Sequence, residues 1–221
     1  MGHIAQEMHI QIDGITLHGS LALDHESRGL VVFVQGTGSG RFSPRNRYIA
    51  DYLNGDAGVS TLLIDLLTPG ERNIIRTHDQ QSNINWLRNR LNSVIDWVID
   101  QDETSGLSLA LFGSNLGAAA ALKTAADRKR QISAIAIWSG RPDLVKEALP
   151  DITAPTLLIA GAYDQTLVDA NRDAAEQFRS QCYLEIIPDA GHELKEPGKL
   201  EELTKLYSDW LLQVLPVGGN G

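Results

Sequence analysis

Short apolar runs alternate with helical stripes along this 221-residue chain, and that alternation permits few folds. Met8–Ile12 and Ile15–Leu23 flank Asp13-Gly14, the pattern of a tight hairpin. Leu30–Val34, Val59–Leu66, Leu107–Phe112, Ala134–Trp138, Thr156–Ala160 and Cys182–Ile187 are near-continuous apolar runs, as expected of strands buried on both faces. Helical spacing marks Pro44–Leu53, Asn83–Ile99, Leu116–Arg130, Leu167–Phe178 and Pro197–Val214. The clearest stripe is Ile84, Leu87, Leu91, Val94, Ile95 and Val98. A hairpin followed by such alternation predicts an α/β fold, with about eight strands in a mostly parallel sheet flanked by helices. Residues 1–221 are expected to form a single domain, with 215–221 as a flexible tail.

Composition narrows the function. The net charge of −9 argues against nucleic acid and anionic membranes as partners, because both call for a basic surface. No apolar run reaches the roughly 18–20 residues that span a bilayer. The first ten residues, MGHIAQEMHI, lack the apolar core of a signal peptide, so a cytoplasmic protein is expected. One cysteine, Cys182, excludes an intrachain disulfide and reads as a buried, inert thiol. No histidine pair has metal-ligand spacing, and one Cys cannot build a zinc centre, so no metal and no cofactor are expected.

Ligands of open parallel sheets bind outside the carboxyl ends of the strands, so the residues just after each strand matter most. After the third strand comes Gln35-Gly36-Thr37-Gly38-Ser39-Gly40. It reads as an oxyanion loop, a phosphate cradle or a plain turn; Walker A and GxGxxG spacings are both absent. After the fifth strand comes Gly113-Ser114-Asn115-Leu116-Gly117, opening an Ala-rich helix. The frame is either a nucleophile elbow with Asn at its apex or a strand-to-helix turn capped by Asn. Asp164, after the seventh strand, can orient an imidazole or cap a helix. His192, after the eighth, is a general-base candidate or a surface histidine. Elbow, acid and histidine follow separate strands in the order nucleophile, Asp, His, an agreement more informative than any single match.

The stretches QGTGSGRFSPRNRYIA, TLLIDLLTPGE, FGSNLGAAAAL, WSGRPDL, GAYDQTL and AGHELKEPGKLEEL resemble compact α/β-hydrolases of the dienelactone hydrolase-like group. The resemblance covers nearly the whole chain. It implies the α/β-hydrolase fold without a large cap domain, hydrolysis of a small carboxylic ester or lactone, no cofactor, and a monomer or homodimer. It places the nucleophile position at Asn115, the acid and base at Asp164 and His192, and the oxyanion hole at Leu116, Gln35, Gly36 and Thr37. Two departures stand out: Gln35 replaces the usual His, and Asn115 replaces Ser. Arg141 and Arg41 are candidates for holding a substrate carboxylate, against the alternative of surface solvation. Ser114, one residue off the apex, is a poor substitute nucleophile.

The amide nitrogen of Asn115 is delocalised and offers His192 no useful proton. An inactive or weakly active hydrolase is therefore expected, with two alternatives. One is a non-catalytic ligand-binding pseudo-hydrolase. The other is a hydrolase whose Asn115 deamidates to a carboxylate nucleophile.

Overall fold

A computed structural model of the chain describes residues 5–24, 26–36 and 40–215. Its centre is an eight-stranded sheet in the order β1-β2-β4-β3-β5-β6-β7-β8. The strands are β1 (Gln6–Ile12), β2 (Ile15–Ala22), β3 (Gly29–Val34), β4 (Ser60–Ile64), β5 (Ser108–Ser114), β6 (Ile132–Trp138), β7 (Thr156–Gly161) and β8 (Cys182–Ile187). β1 and β2 form the expected hairpin. Its turn residues Asp13 and Gly14 have φ of 49° and 78°, the double positive φ of a two-residue turn that follows the sheet's twist. β2 is antiparallel to β4, and the pairs from β4 through β3, β5, β6 and β7 to β8 are all parallel.

Period-two alternation divides each central strand between two cores. Leu30, Val32 and Val34 of β3 face α3 (Gln80–Asp100) and α4 (Leu116–Asp127), meeting Ile84, Leu87, Leu91 and the Ala118–Ala121 run. Val31 and Phe33 face the other way, toward α1 (Pro44–Gly55) and α6 (Lys199–Val214), where they join Ile49, Leu53, Tyr207 and Leu211. Ala118–Ala121 of α4 are 0% exposed, and their small side chains let the helix lie close beneath the carboxyl end of β5. This close seat matters for the site, because α4 starts at Leu116, directly after Asn115.

The helices differ from expectation at their ends and in two insertions. α3 starts at Gln80, ahead of the expected Asn83, because the Asp79 carboxylate accepts from Ser82 N at 2.9 Å and caps it earlier. α5 spans Gln165–Ala175. The short α2 (Pro69–Ile74), the 3-10 turn Ile75–Thr77 and the kinked 3-10 stretch Pro142–Asp151 carry no long apolar stripe and were not anticipated. None of the described strand connections holds a cap domain; the long one between β4 and β5 is filled by α2, a 3-10 turn and α3. Leu215, expected in the tail, is 2% exposed and packs in the core; 216–221 lie outside the described residues. Among the described residues no helix is long and apolar enough to cross a membrane.

Candidate active site

A single residue, Asn115, separates β5 from α4. Asn115 sits at the apex with φ 52° and ψ −127°. The positive φ is uncommon for a residue with a Cβ, and this ψ lies outside the left-handed basin that asparagine tolerates well. The flanking glycines are required by contact. A Cβ on Gly117 would stand 2.3 Å from Val34 O, and one on Gly113 would stand 2.8 Å from the Ala118 Cα. The turn is thereby wedged between β3 and its own helix, and the Asn115 side chain is left exposed at the sheet's carboxyl edge.

His192 reaches that apex from the loop after β8. Its Nδ1 lies 3.1 Å from Asp164 Oδ2 and its Nε2 lies 3.2 Å from Asn115 Oδ1. The side chains of His192 and Asp164 are 43% and 27% exposed, so the line of contacts is open to solvent and to a ligand. Both readings of Asp164 hold at once. Oδ1 accepts from Leu167 N at 3.3 Å and caps α5, while Oδ2 faces the imidazole. Helix capping fixes the carboxylate, and the fixed carboxylate sets the ring.

The Asn115 contact constrains protons. With a carboxylate at Nδ1 and a carbonyl oxygen at Nε2, both ring nitrogens must donate, which suits the imidazolium. Turning the amide by 180° places its N–H on Nε2 and suits the neutral ring. In either arrangement the nitrogen that would act as base is already occupied.

Contacts from Ser139, Arg45 and Tyr163 hold His192 and its loop in place. Ser139, after β6, donates its hydroxyl to His192 O at 3.0 Å, and its φ is 47°. Arg45 of α1 donates to Glu193 O at 2.6 Å and lies 5.3 Å from the centre of the Trp138 ring. Tyr163 N bonds Ala190 O at 2.9 Å and ties the β7 and β8 loops together. These contacts cross between elements far apart in sequence, and only Ser139 carried a readable signal, its place just after a strand.

A cavity of about 330 Å³ opens beside this line. Gln80, Leu116, Ser139, Arg141, Leu144 and Thr166 help line it with the three aligned residues. Gln80 comes from the N-terminus of α3, which no local motif announces. A larger groove of about 760 Å³ lies elsewhere, between β8 and α6, and holds none of the aligned residues. The aligned residues are in the smaller space.

The remaining expected residues fall as follows. The α4 start leaves the first amide groups, Leu116 N among them, without intrahelical partners. A Cβ on Gly36 would lie 3.3 Å from Leu116 N, so the loop after β3 passes directly over that amide. Gln35 is 4% exposed, and neither polar atom of its side chain has a hydrogen-bond partner among the described residues. Thr37 lies outside the described residues. Arg141 lines the cavity, gripped by Asp143 through two bonds of 2.7 and 2.6 Å. The hydrogen bonds that Arg141 donates to Asp143 raise the Arg141 pKa above its ordinary value, against the opposing cost of burial. Arg41 is not brought to the cavity. Its side chain is 10% exposed and is paired with Glu7 and Asp65 at the hairpin side of the sheet. Ser114 is buried in β5 and is not among the cavity's lining residues.

Solved structures of similar shape include a dienelactone hydrolase and esterases. The crystal structure of a dienelactone hydrolase from Anabaena variabilis superposes with a TM-score of 0.90 at 41% identity, covering 97% of this chain and 100% of that one. Est1E from Butyrivibrio proteoclasticus gives 0.79 at 18% identity over 94% of this chain and 98% of its own, a likeness of fold. A dienelactone hydrolase-like promiscuous phosphotriesterase from metagenomic libraries gives 0.75 at 17% identity, over 98% of this chain and 100% of its own. Two Mycobacterium tuberculosis sequences, each bearing the name "Putative phosphoribosyl transferase", are 40% identical over 210 residues. That match covers 95% of this chain and 46% of theirs, so the chain spans about half the length of the curated relatives it matches. No protein-family model matches the chain.

Proposed function

The chain belongs to the dienelactone hydrolase-like family of α/β-hydrolases, and from that premise we propose that its cavity is an ester- or lactone-hydrolase site whose covalent step is disabled at Asn115. The observation that carries this reading is the line Asp164–His192–Asn115, with contacts of 3.1 and 3.2 Å, ending on the strained apex of the β5–α4 turn. A serine at that apex would give its proton to His192 Nε2 as its oxygen attacked the ester carbonyl. Asp164 would hold the ring and stabilise the imidazolium. The negative charge on the tetrahedral oxygen would meet Leu116 N–H and a donor from the Gln35–Thr37 loop. The alcohol would leave with the proton from His192, and water would repeat the sequence on the acyl-enzyme. Asn115 removes the attack and leaves the rest, so this chain is assigned slow turnover or none.

The cavity suits a small neutral ester or lactone. Among its described lining residues Arg141 is the one Lys or Arg, and its pairing with Asp143 occupies it. A phosphoribosyl pyrophosphate would ask for several unpaired cations. We therefore place hydrolysis at this site, and leave phosphoribosyl transfer with the longer proteins that bear that name.

Asn115→Ser tests the proposal on a p-nitrophenyl ester and on a small lactone. The revertant should exceed the parent chain by at least about 10³-fold in kcat, the scale on which a missing nucleophile acts in serine hydrolases. A folded revertant no faster than the parent would overturn it. The occupied Nε2 of His192 favours one second reading, a binding protein that kept the pocket. Under that reading a small ester raises the melting temperature of both chains, and neither turns it over.

A further inference from the structure

Away from the site, a cluster of three side chains gathers on the outer face of the β1–β2 hairpin.

Alternation along β1 sends Glu7 and His9 to the solvent face while Ile10 turns into the core. The register of the hairpin sets His9 directly opposite His18, with Glu7 opposite Ser20 one step along the same face. Directly opposed residues on one face of an antiparallel pair stand about 5 Å apart at Cβ. The two imidazoles accordingly meet edge to face, with ring centroids 4.9 Å apart and planes at 80°. One carboxylate oxygen of Glu7 and one nitrogen from each histidine all lie within 4.8 Å of one another. Tetrahedral ligands around one zinc ion are about 3.3 Å apart, a distance that small side-chain rotations reach from here.

We propose that Glu7, His9 and His18 form a binding site for one divalent transition metal ion, zinc foremost, on the outer face of the hairpin. Two imidazoles and one carboxylate are the donor set that borderline cations of this class take, and calcium or magnesium would ask for oxygen donors throughout. The site is preorganised. The Asp13-Gly14 turn and the seven paired residues on each side fix the strands before a metal arrives. Arg41 supplies the outer support. Its Nη2 donates to Glu7 Oε1 at 2.7 Å, which orients the carboxylate and leaves its second oxygen for the ion. Arg41 also bonds Asp65 through its backbone N at 3.0 Å, so a bound ion would tie the hairpin to the segment that follows the β3 loop. Sequence spacing gave no such site because the two histidines come together only through strand register.

Calorimetric titration of the tag-free chain with zinc chloride at pH 7.5 tests this. One zinc ion should bind per chain, and His9→Ala and His18→Ala should each weaken it at least about tenfold. Glu7→Gln should weaken it less, and His78→Ala should leave it unchanged. Zinc should raise the melting temperature of the parent and fail to raise that of either histidine variant. If an alanine variant does not fold, His9→Gln or His18→Gln takes its place. No zinc binding by the parent at millimolar metal, or binding of equal strength in the His9 and His18 variants, overturns the proposal.

Discussion

Among the described residues Tyr207 is the largest fully buried side chain, and its hydroxyl has no hydrogen-bond partner among them. Burial alone pushes its phenol far above the ordinary range. An uncompensated buried hydroxyl costs about 1–3 kcal/mol, while the ring itself packs 4.8 Å from Phe112 and stacks at 6.3 Å on Trp210. Tyr207→Phe should therefore hold or raise stability by about 1 kcal/mol, read from urea midpoints; a loss of that size would reveal a partner for the hydroxyl. Cys182 shows burial acting on another group. Its thiol is pushed up to about 12, so native protein at pH 8 should react with a disulfide reagent far more slowly than the unfolded chain. An equal rate in both states would contradict that. The partly buried thiol, the paired acid and the histidine were all legible as residues, since each sits in or just after an apolar run. Gln80 was not, because what places it is tertiary contact.

At the scale of elements, the β5–α4 turn depends on the closeness of two backbones. Gly117→Ala would set a Cβ 2.3 Å from a carbonyl oxygen of β3, and the obstacle is main chain, which cannot swing aside. A cost of about 3 kcal/mol or more is expected, visible as a lowered melting temperature or insoluble protein. A well-folded, equally stable variant would show that the helix can slide. The long elements were readable because a strand buried on both faces must be apolar throughout and a two-layer helix must carry a stripe. Short ones obey other rules. α2 has no buried residue and is held by a capping box, in which Thr68 and Glu71 exchange bonds of 2.8 and 3.3 Å. Thr-Pro-Gly-Glu was the one signal available for it. In Pro142–Asp151, the kink at Val145 and the internal Pro150 break the helical period.

Across the molecule, charge sets the response to acid. Hydrogen bonds from Arg41, Arg128, Arg141, Lys129 and Lys195 hold Glu7, Asp96, Asp143, Asp151 and Glu193 below their ordinary values. A depressed carboxyl binds its proton less readily folded than unfolded. Its contribution is complete above the unfolded value of 4.5 for Glu or 3.8 for Asp, and is lost as the pH falls through the folded value. Urea midpoints should therefore hold steady from pH 8 to 6 and decline below about 4. A midpoint that rose in acid would mean that relief of the net charge of −9 outweighs these pairs.

The wedge formed by Gly113 and Gly117 has an evolutionary consequence. It fixes the shape of the turn through the neighbours of position 115 and asks nothing of the side chain at the apex, which stands in solvent. Serine and asparagine codons can differ by a single base. On the proposed reading, one mutational step in either direction separates acyl transfer from mere occupancy of the pocket, without passage through an unfolded intermediate.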